Sequence, residues 1–471
     1  MIFNSLEYAI FLPLVLLLYW RFRHKQQNLL LLAASYLFYG WWDYRFLALL
    51  AFTTVVDYWV GLQLGRMEEE RARKRLLIVS IAVNLGVLGF FKYFNFFVDS
   101  AASLLQQVGL NANMPTLRII LPVGISFYTF QSMSYTFDVY RRRIPPSESL
   151  LDFALYVAYF PQLVAGPIER AQALLPQITS NRTRPSPEQV SSGLVLILLG
   201  LFKKVAIADV MAPIVEASFS SPDTQPALAL MTGIYAFSLQ IYGDFSGYSD
   251  IARGSSRLMG IELMENFNQP YLSRNITAFW RTWHISLSTW LHDYLYIPLG
   301  GNRKGKLNTY RNLMVVMLLG GLWHGAAWTF VIWGGLHGLY LAVHRAFGGY
   351  VPRGYQGRFV VRRDLIPAVF TFHLVTFAWI FFRAGSLTGA ASYVQNLFDL
   401  RLGLPDPNHA ILLGLAAVAV LTLDLIQRNA GQHEVMVSWR PSWQGLAYAT
   451  FIVAIVIFSG GPITPFIYFQ F

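Results

Sequence analysis

Residues 270–306 read PYLSRNITAFWRTWHISLSTWLHDYLYIPLGGNRKGK. The stretch is too polar to lie against lipid and too aromatic for a free loop. Arg274 and Arg281 stand near its start, and Arg303, Lys304 and Lys306 at its end. Basic residues at both ends put both ends on one side of a membrane, so residues 279–300 read as a re-entrant element. Backbone of that kind is tolerated at membrane depth only when it is buried in protein or lines a wet cavity. Residues 150–170, LLDFALYVAYFPQLVAGPIER, read as a second such element, because Pro161 and the Gly166–Pro167 pair interrupt helix.

The surrounding sequence says which solvent these elements sit in. Charged residues are 13% of the 471, about half the usual soluble fraction of ~25%. Hydrophobic residues are 55% and mean hydropathy is +0.43. So few charges cannot cover several soluble domains, and so much apolar sequence excludes disorder. Cysteine is absent, which excludes a disulfide framework, thiolate chemistry and cysteine-bound metal. Apolar stretches near the ~20 residues needed to cross a bilayer fall at 6–20, 28–42, 46–64, 76–97, 119–137, 193–215, 227–248, 312–325, 328–344, 365–382, 410–427 and 445–468. The 312–325 and 328–344 pair is short and reads as a hairpin. No stretch shows the alternation of a barrel strand, and no internal repeat is visible. The expectation is an all-α polytopic membrane protein, a single domain over 1–471 with about 11–13 transmembrane helices.

With those spans, 29 Lys and Arg residues fall on one side and only Arg45, Arg118, Arg383 and Arg401 on the other, while Lys92, Lys203 and Lys204 lie inside spans. Basic loops are retained in the cytoplasm, so both ends of the chain are expected outside. Met1–Asn4 carries no basic residue and positive charge follows the first apolar stretch. That is the order of an uncleaved anchor, not of a signal peptide. The net charge of +11 is scattered over short loops, which argues against nucleic-acid binding. It suits lipid headgroups and an anionic cytoplasmic cosubstrate.

Two histidines stand in polar breaks, 40 residues apart. His284 lies in the first re-entrant element. His324 lies in GGLWHGAAW (320–328), where Gly320, Gly321, Gly325, Ala326 and Ala327 allow close approach. A membrane histidine can simply be a hydrogen-bonded core residue, but two in such surroundings favour function. Neutral imidazole can take a proton from a hydroxyl, as acyl transfer to an alcohol requires. His373 reads as a satisfied core residue, His337 as packing and His344 as solvated. His284, His292 and Asp293 match no zinc spacing, so no metal is expected. There is no GxSxG elbow, P-loop or GxGxxG. In YGDFSGYSDIA (242–252), Asp244 and Asp250 either bond nearby hydroxyls and cap backbone or shape a cytoplasmic pocket rim. Lys203 and Lys204 either snorkel or pair with Asp209 or another buried carboxylate.

FWRTWHISLSTWLHDYLYIPLGGNRKG (279–305) followed by LLGGLWHGAAWTFVIWGGLHGL (318–339) resembles the membrane-bound O-acyltransferase family, and most closely its bacterial branch that O-acetylates polysaccharides such as alginate. PVGISFYTFQSMSYTFDVYRRRIPP (122–146), YFPQLVAGPIERAQALLPQI (159–178) and YGDFSGYSDIARGSSRLMGIELMENFNQPY (242–271) extend the likeness over about residues 1–385. The resemblance implies tilted helices around a thin centre with a tunnel. It implies a donor entering from the cytoplasm, a catalytic histidine at His324 and a second functional histidine at His284. It also implies an extracytoplasmic acetyltransferase partner acting on an exported polysaccharide, in the bacterial inner membrane. The chain departs at His292, where relatives commonly carry Arg.

Acetyl-CoA, the expected donor, is a polyanion and cannot cross hydrocarbon. A cytoplasmic docking site with Arg281, Arg303 and Lys304 would hold it, with no resident cofactor and no metal. His324 would take the acceptor proton, and His284 would either stabilise the oxyanion or orient His324. The alternatives are transfer of a D-alanyl or fatty acyl group, and a non-catalytic acyl or polymer transporter. Transporters usually show repeats, and none is visible here.

Overall fold

The computed structural model describes residues 1–110, 117, 119–347, 357–399, 403–460 and 465–469. Arg118, Arg353 and Arg401 of the charge argument lie outside them. Among the described residues helix is the only regular secondary structure, with no strand, so the all-α class holds. Its contacts gather in two compact units, one comprising Met1, 5–184 and 259–263, the other 2–4, 185–258 and 264–471.

Five segments are long and apolar enough to cross a membrane by length and composition: His24–Arg66, Glu70–Gln107, Val361–Arg383, Pro407–Ala430 and Pro441–Phe458. Residues 24–66 are two helices, His24–Asp43 and Leu47–Arg66, joined by the 3₁₀ turn Tyr44–Phe46, which matches two of the expected spans. Several expected bounds change. The 76–97 span runs on through a π turn, Gly89–Tyr93, into Phe94–Gln107. The 119–137 span is helical only over Ile125–Tyr140. The 227–248 span continues to Arg257, because its polar second half is buried among ionic partners and not released to water. The 445–468 span stops at Phe458, and Phe466–Tyr468 pack against helix Ala227–Arg257 instead.

In the first unit, Leu47–Arg66, Glu70–Leu88 and Ile125–Tyr140 pack around Asp57, which is fully buried. Ser80 Oγ donates to it at 2.6 Å, Asn84 Nδ2 at 2.8 Å and Ser132 Oγ also. A buried carboxylate that finds such donors avoids the cost of an unsatisfied group. The 150–170 stretch forms Leu150–Ala158 and the short Phe160–Leu163. Its Phe153, Tyr156 and Tyr159 are fully buried, and Gln162 Nε2 caps the Tyr156 carbonyl at 2.9 Å, so broken backbone is satisfied inside protein.

In the second unit, Pro187–Phe202 starts with a Ser186/Gln189 capping box and continues through a π turn, Lys203–Ala208, into Asp209–Ser220. Lys203 Nζ lies 2.7 Å from Asp250 Oδ2, and Lys204 Nζ lies 2.8 Å from Asp209 and 3.0 Å from Asp244. These lysines pair and do not snorkel. The two carboxylates on Ala227–Arg257 are ion-pair partners, and neither shapes the rim of the large cavity described below. Lys306–His324 and Trp328–Phe347 form the expected hairpin. A Cβ on Gly321 would stand 2.2 Å from the Phe330 carbonyl oxygen, and one on Gly334 2.2 Å from that of Met317. Backbone contact that close is open only to glycine.

Candidate active site

The 270–306 stretch folds as Ile276–Thr282, Ile285–Leu291 and a π turn, His292–Tyr296. Asn275 caps the first helix through its side chain, which accepts from Ala278 N at 2.8 Å. Between the two helices His284 takes a left-handed conformation, φ +43°, where a residue with a Cβ is uncommon. Asn266 pins that break: its carbonyl accepts from Ile285 N at 2.9 Å, and its Oδ1 accepts from Ser286 N at 3.1 Å and Ser286 Oγ at 2.9 Å.

This stretch and the hairpin enclose a cavity of about 890 Å³. Trp280, Leu287 and Thr289 line one side, Met317, Gly320 and His324 the other. Arg274, Arg281, Arg345 and Arg428 bring positive charge to its wall. Arg274 is held by Asp364 at 2.6 Å. His292 also lines the cavity and faces Asp293 at 2.8 Å. Arg303 and Lys304, expected beside Arg281, are exposed on the turn before Lys306 and do not line it.

His324 is 3% exposed. Its ring lies against Trp323, Trp333 and Phe382, and its Nδ1 is 3.2 Å from the Tyr468 hydroxyl. His284 is fully buried and does not line the cavity. Its ring centroid is 6.1 Å from that of His324, and Phe245 and Tyr468 pack on it. The sequence-expected pair is therefore brought together, with His324 on the cavity wall and His284 behind it.

The other histidines separate. His337 is fully buried between Trp280 and Trp333, and neither ring nitrogen has a hydrogen-bond partner among the described residues. His344 Nδ1 is 3.0 Å from Thr277 Oγ1. His373 is satisfied by Tyr235 at 3.0 Å and the Val369 carbonyl at 2.7 Å, but it is exposed and not a core residue. No group of three His, Asp or Glu suited to a metal ion occurs among the described residues.

Sequence reading missed Tyr468, 144 residues beyond His324; its only signal is the aromatic run that begins at Phe466, inside the expected 445–468 span. It also missed Arg345 and Arg428 as cavity residues, because in sequence each reads as part of a loop charge cluster, whereas each lies in the last turn of a helix.

An all-helical membrane-spanning chain with an imidazole on the wall of a basic cavity has the parts of an enzyme that moves an acyl group to a hydroxyl. Residues 55–384 match MBOAT, the membrane-bound O-acyltransferase family, and the chain belongs to that family. It is 43% identical to the probable alginate O-acetylase of Pseudomonas putida over the full length of both chains. It is 46% identical to that of Pseudomonas aeruginosa, covering 88% of this chain and 78% of the relative. It is 36% identical to the peptidoglycan O-acetyltransferase of Helicobacter pylori, covering 90% and 84%. The protein is thus a multi-pass membrane O-acyltransferase.

Proposed function

We propose that this chain, in the bacterial inner membrane, takes acetyl from cytoplasmic acetyl-CoA and passes it across for O-acetylation of an exported polysaccharide. The observation that carries this is the placement of His324 on the wall of a basic cavity with its Nδ1 against the hydroxyl of the half-buried Tyr468. Arg281, Arg345 and Arg428 bind the phosphates of the donor at the cavity wall, where guanidinium suits them. The thioester reaches inward between Trp280 and Met317.

His324 is the general base. In the tautomer protonated at Nε2, the Tyr468 hydroxyl donates to Nδ1 and is the hydroxyl placed to lose its proton. Its oxygen attacks the thioester carbonyl, the C–O bond forms, the C–S bond breaks, and the departing thiolate takes the proton from the imidazolium. The acetyl group then rests on a phenol. A phenol of pKa ~10 is a better leaving group than a sugar hydroxyl, so onward transfer outside the membrane runs downhill. An extracytoplasmic acetyltransferase completes that transfer. His284, fully buried behind the imidazole, orients His324 in this scheme. No resident cofactor and no metal enter the scheme.

The names of the alginate and peptidoglycan relatives support an acetyl group and an envelope polymer. The test is incubation of purified protein with acetyl-labelled acetyl-CoA. Label on Tyr468, lost in His324→Ala and Tyr468→Phe, is expected. Absence of label from acetyl-CoA, with label from a D-alanyl or long-chain donor, overturns the choice of acyl group.

A further inference from the structure

The segment that carries Tyr468 is tethered through its backbone. Ile467 N donates to Asp244 Oδ2 at 2.6 Å. Asp244 Oδ1 faces Lys204 Nζ at 3.0 Å, and the carboxylate is 3% exposed. One turn further along the same helix, Tyr248 meets Phe466 at 4.9 Å between ring centroids, and Phe245 meets Tyr468 at 4.5 Å. Ile467 and Phe466 are 2% and 4% exposed. The DFSGY stretch, residues 244–248, is thus a dock for residues 466–468, with a backbone hydrogen bond at its centre and a ring contact on either side.

Rings fix the depth of a segment but not its register, since an aromatic contact tolerates sliding. A charge-assisted bond to one backbone N–H fixes register to a single residue. Both carboxylate oxygens are needed, because one faces an ammonium and the other an N–H; an amide in their place would turn its NH₂ toward one of them. Lys204 keeps a second partner in Asp209, so the anchor is a branch of a wider ionic cluster and not an isolated charge.

We propose that Asp244, paired with Lys204, is a positioning residue for acyl transfer: by accepting the Ile467 N–H it sets the register that brings the Tyr468 hydroxyl to His324. This rests on the reading of Tyr468 given above. A misplacement of about 1 Å at a reacting group can cost 10²-fold in rate, which is the scale on which such an anchor acts.

The experiment uses the absence of native cysteine. The full chain with Ile467→Cys is purified and its maleimide reaction timed, alone and combined with Asp244→Ala or Asp250→Ala. Asp250 is the control, a carboxylate on the same helix that is buried against Lys203 and Arg253. Maleimide labelling is expected to be slow in the Ile467→Cys chain alone and with Asp250→Ala, and at least tenfold faster with Asp244→Ala. Asp244→Ala with Ile467 native should lose about ten- to a hundredfold in kcat with donor KM unchanged, because no cavity residue is altered. Ile467→Pro removes the N–H and leaves Asp244 and Lys204 in place, at a first helical position that suits proline. It should show the same kcat-selective loss and serves where Asp244→Ala fails to accumulate. Unchanged labelling with Asp244→Ala, equal acceleration with Asp250→Ala, or undiminished kcat overturns the proposal. Full transfer by Tyr468→Phe overturns the functional reading instead, and the labelling rates still report whether Asp244 holds the segment.

Discussion

The hairpin 306–347 and the broken stretch 276–296 each hold one imidazole, and hold it in opposite ways. His324 ends a regular helix, and the glycines that place it, Gly320 and Gly321, let the partner helix and Leu291 come close. Its neighbours are rings on one side and open cavity on the other. His284 stands just before the helix Ile285–Leu291 and is itself the bend, in a left-handed conformation stapled by Asn266. The first arrangement sets a side chain on the cavity wall, where it can meet a substrate. The second spends the residue's backbone on the fold. A histidine that also makes a turn is poorly placed to be a mobile base and well placed to be a fixed support.

That contrast breaks or holds under substitution. His324→Ala should have the largest effect, loss of acetyl transfer by at least the 10²–10⁴-fold typical of a general base, at normal membrane abundance. Transfer per unit of immunoblotted protein measures it, and wild-type transfer at matched level would remove His324 from the mechanism.

The second prediction splits His284 into its two jobs. Asn enters the left-handed region more readily than most residues, so His284→Asn should keep the bend and lose only the imidazole. His284→Ala should lose both. Both are expected to slow transfer roughly tenfold or more, and only Ala should also lower stability, by about 1–3 kcal/mol. Thermal unfolding in detergent separates them, and equal melting of the two variants would show that the backbone strain is unimportant.

Next in size is the basic wall. Arg345→Ala with Arg428→Ala should raise donor KM about tenfold or more and leave kcat nearly unchanged, since a hydrogen bond to a charged group is worth about 1.5–3 kcal/mol. The KM gap should narrow as salt rises. A fall in kcat at constant KM would place these arginines elsewhere in the reaction. The smallest effect is expected at His373, exposed and far along another helix: His373→Ala should stay within about twofold in transfer, as surface changes cost about 0.5 kcal/mol or less.

Much of this was legible in the residues. The apolar stretches gave the helices, the shortness of the 312–325 and 328–344 pair gave the hairpin, and the aromatic, polar 279–300 stretch gave the break beside it. What was not legible depends on contacts that no local pattern encodes. Asp244 and Asp250 read in sequence either as groups that bond hydroxyls and cap backbone or as a pocket rim, because the lysines that pair with them lie on another helix. Tyr468 reads as the end of an apolar span, since nothing nearby reveals that Ile467 will bond a carboxylate 223 residues away. His373 sits mid-span and reads as core, but Tyr235 satisfies it at the outer face. Arg303 and Lys304 have the expected charge, but the Gly300–Gly305 turn leaves them exposed and outside the cavity lining.

The π turn at Lys203–Ala208 has a consequence for biogenesis. One extra residue in the turn suits the five-residue spacing of Lys204 and Asp209, so this segment carries part of its own counter-charge as it leaves the ribosome. Lys203 has no such partner until Asp250 has been synthesised, 47 residues later. Lone lysines at mid-bilayer cost roughly 2.5–3.5 kcal/mol during insertion, and pairing relieves that cost. The helices 187–220 and 227–257 are therefore expected to enter the bilayer as one unit, the earlier one waiting at the translocon for the later.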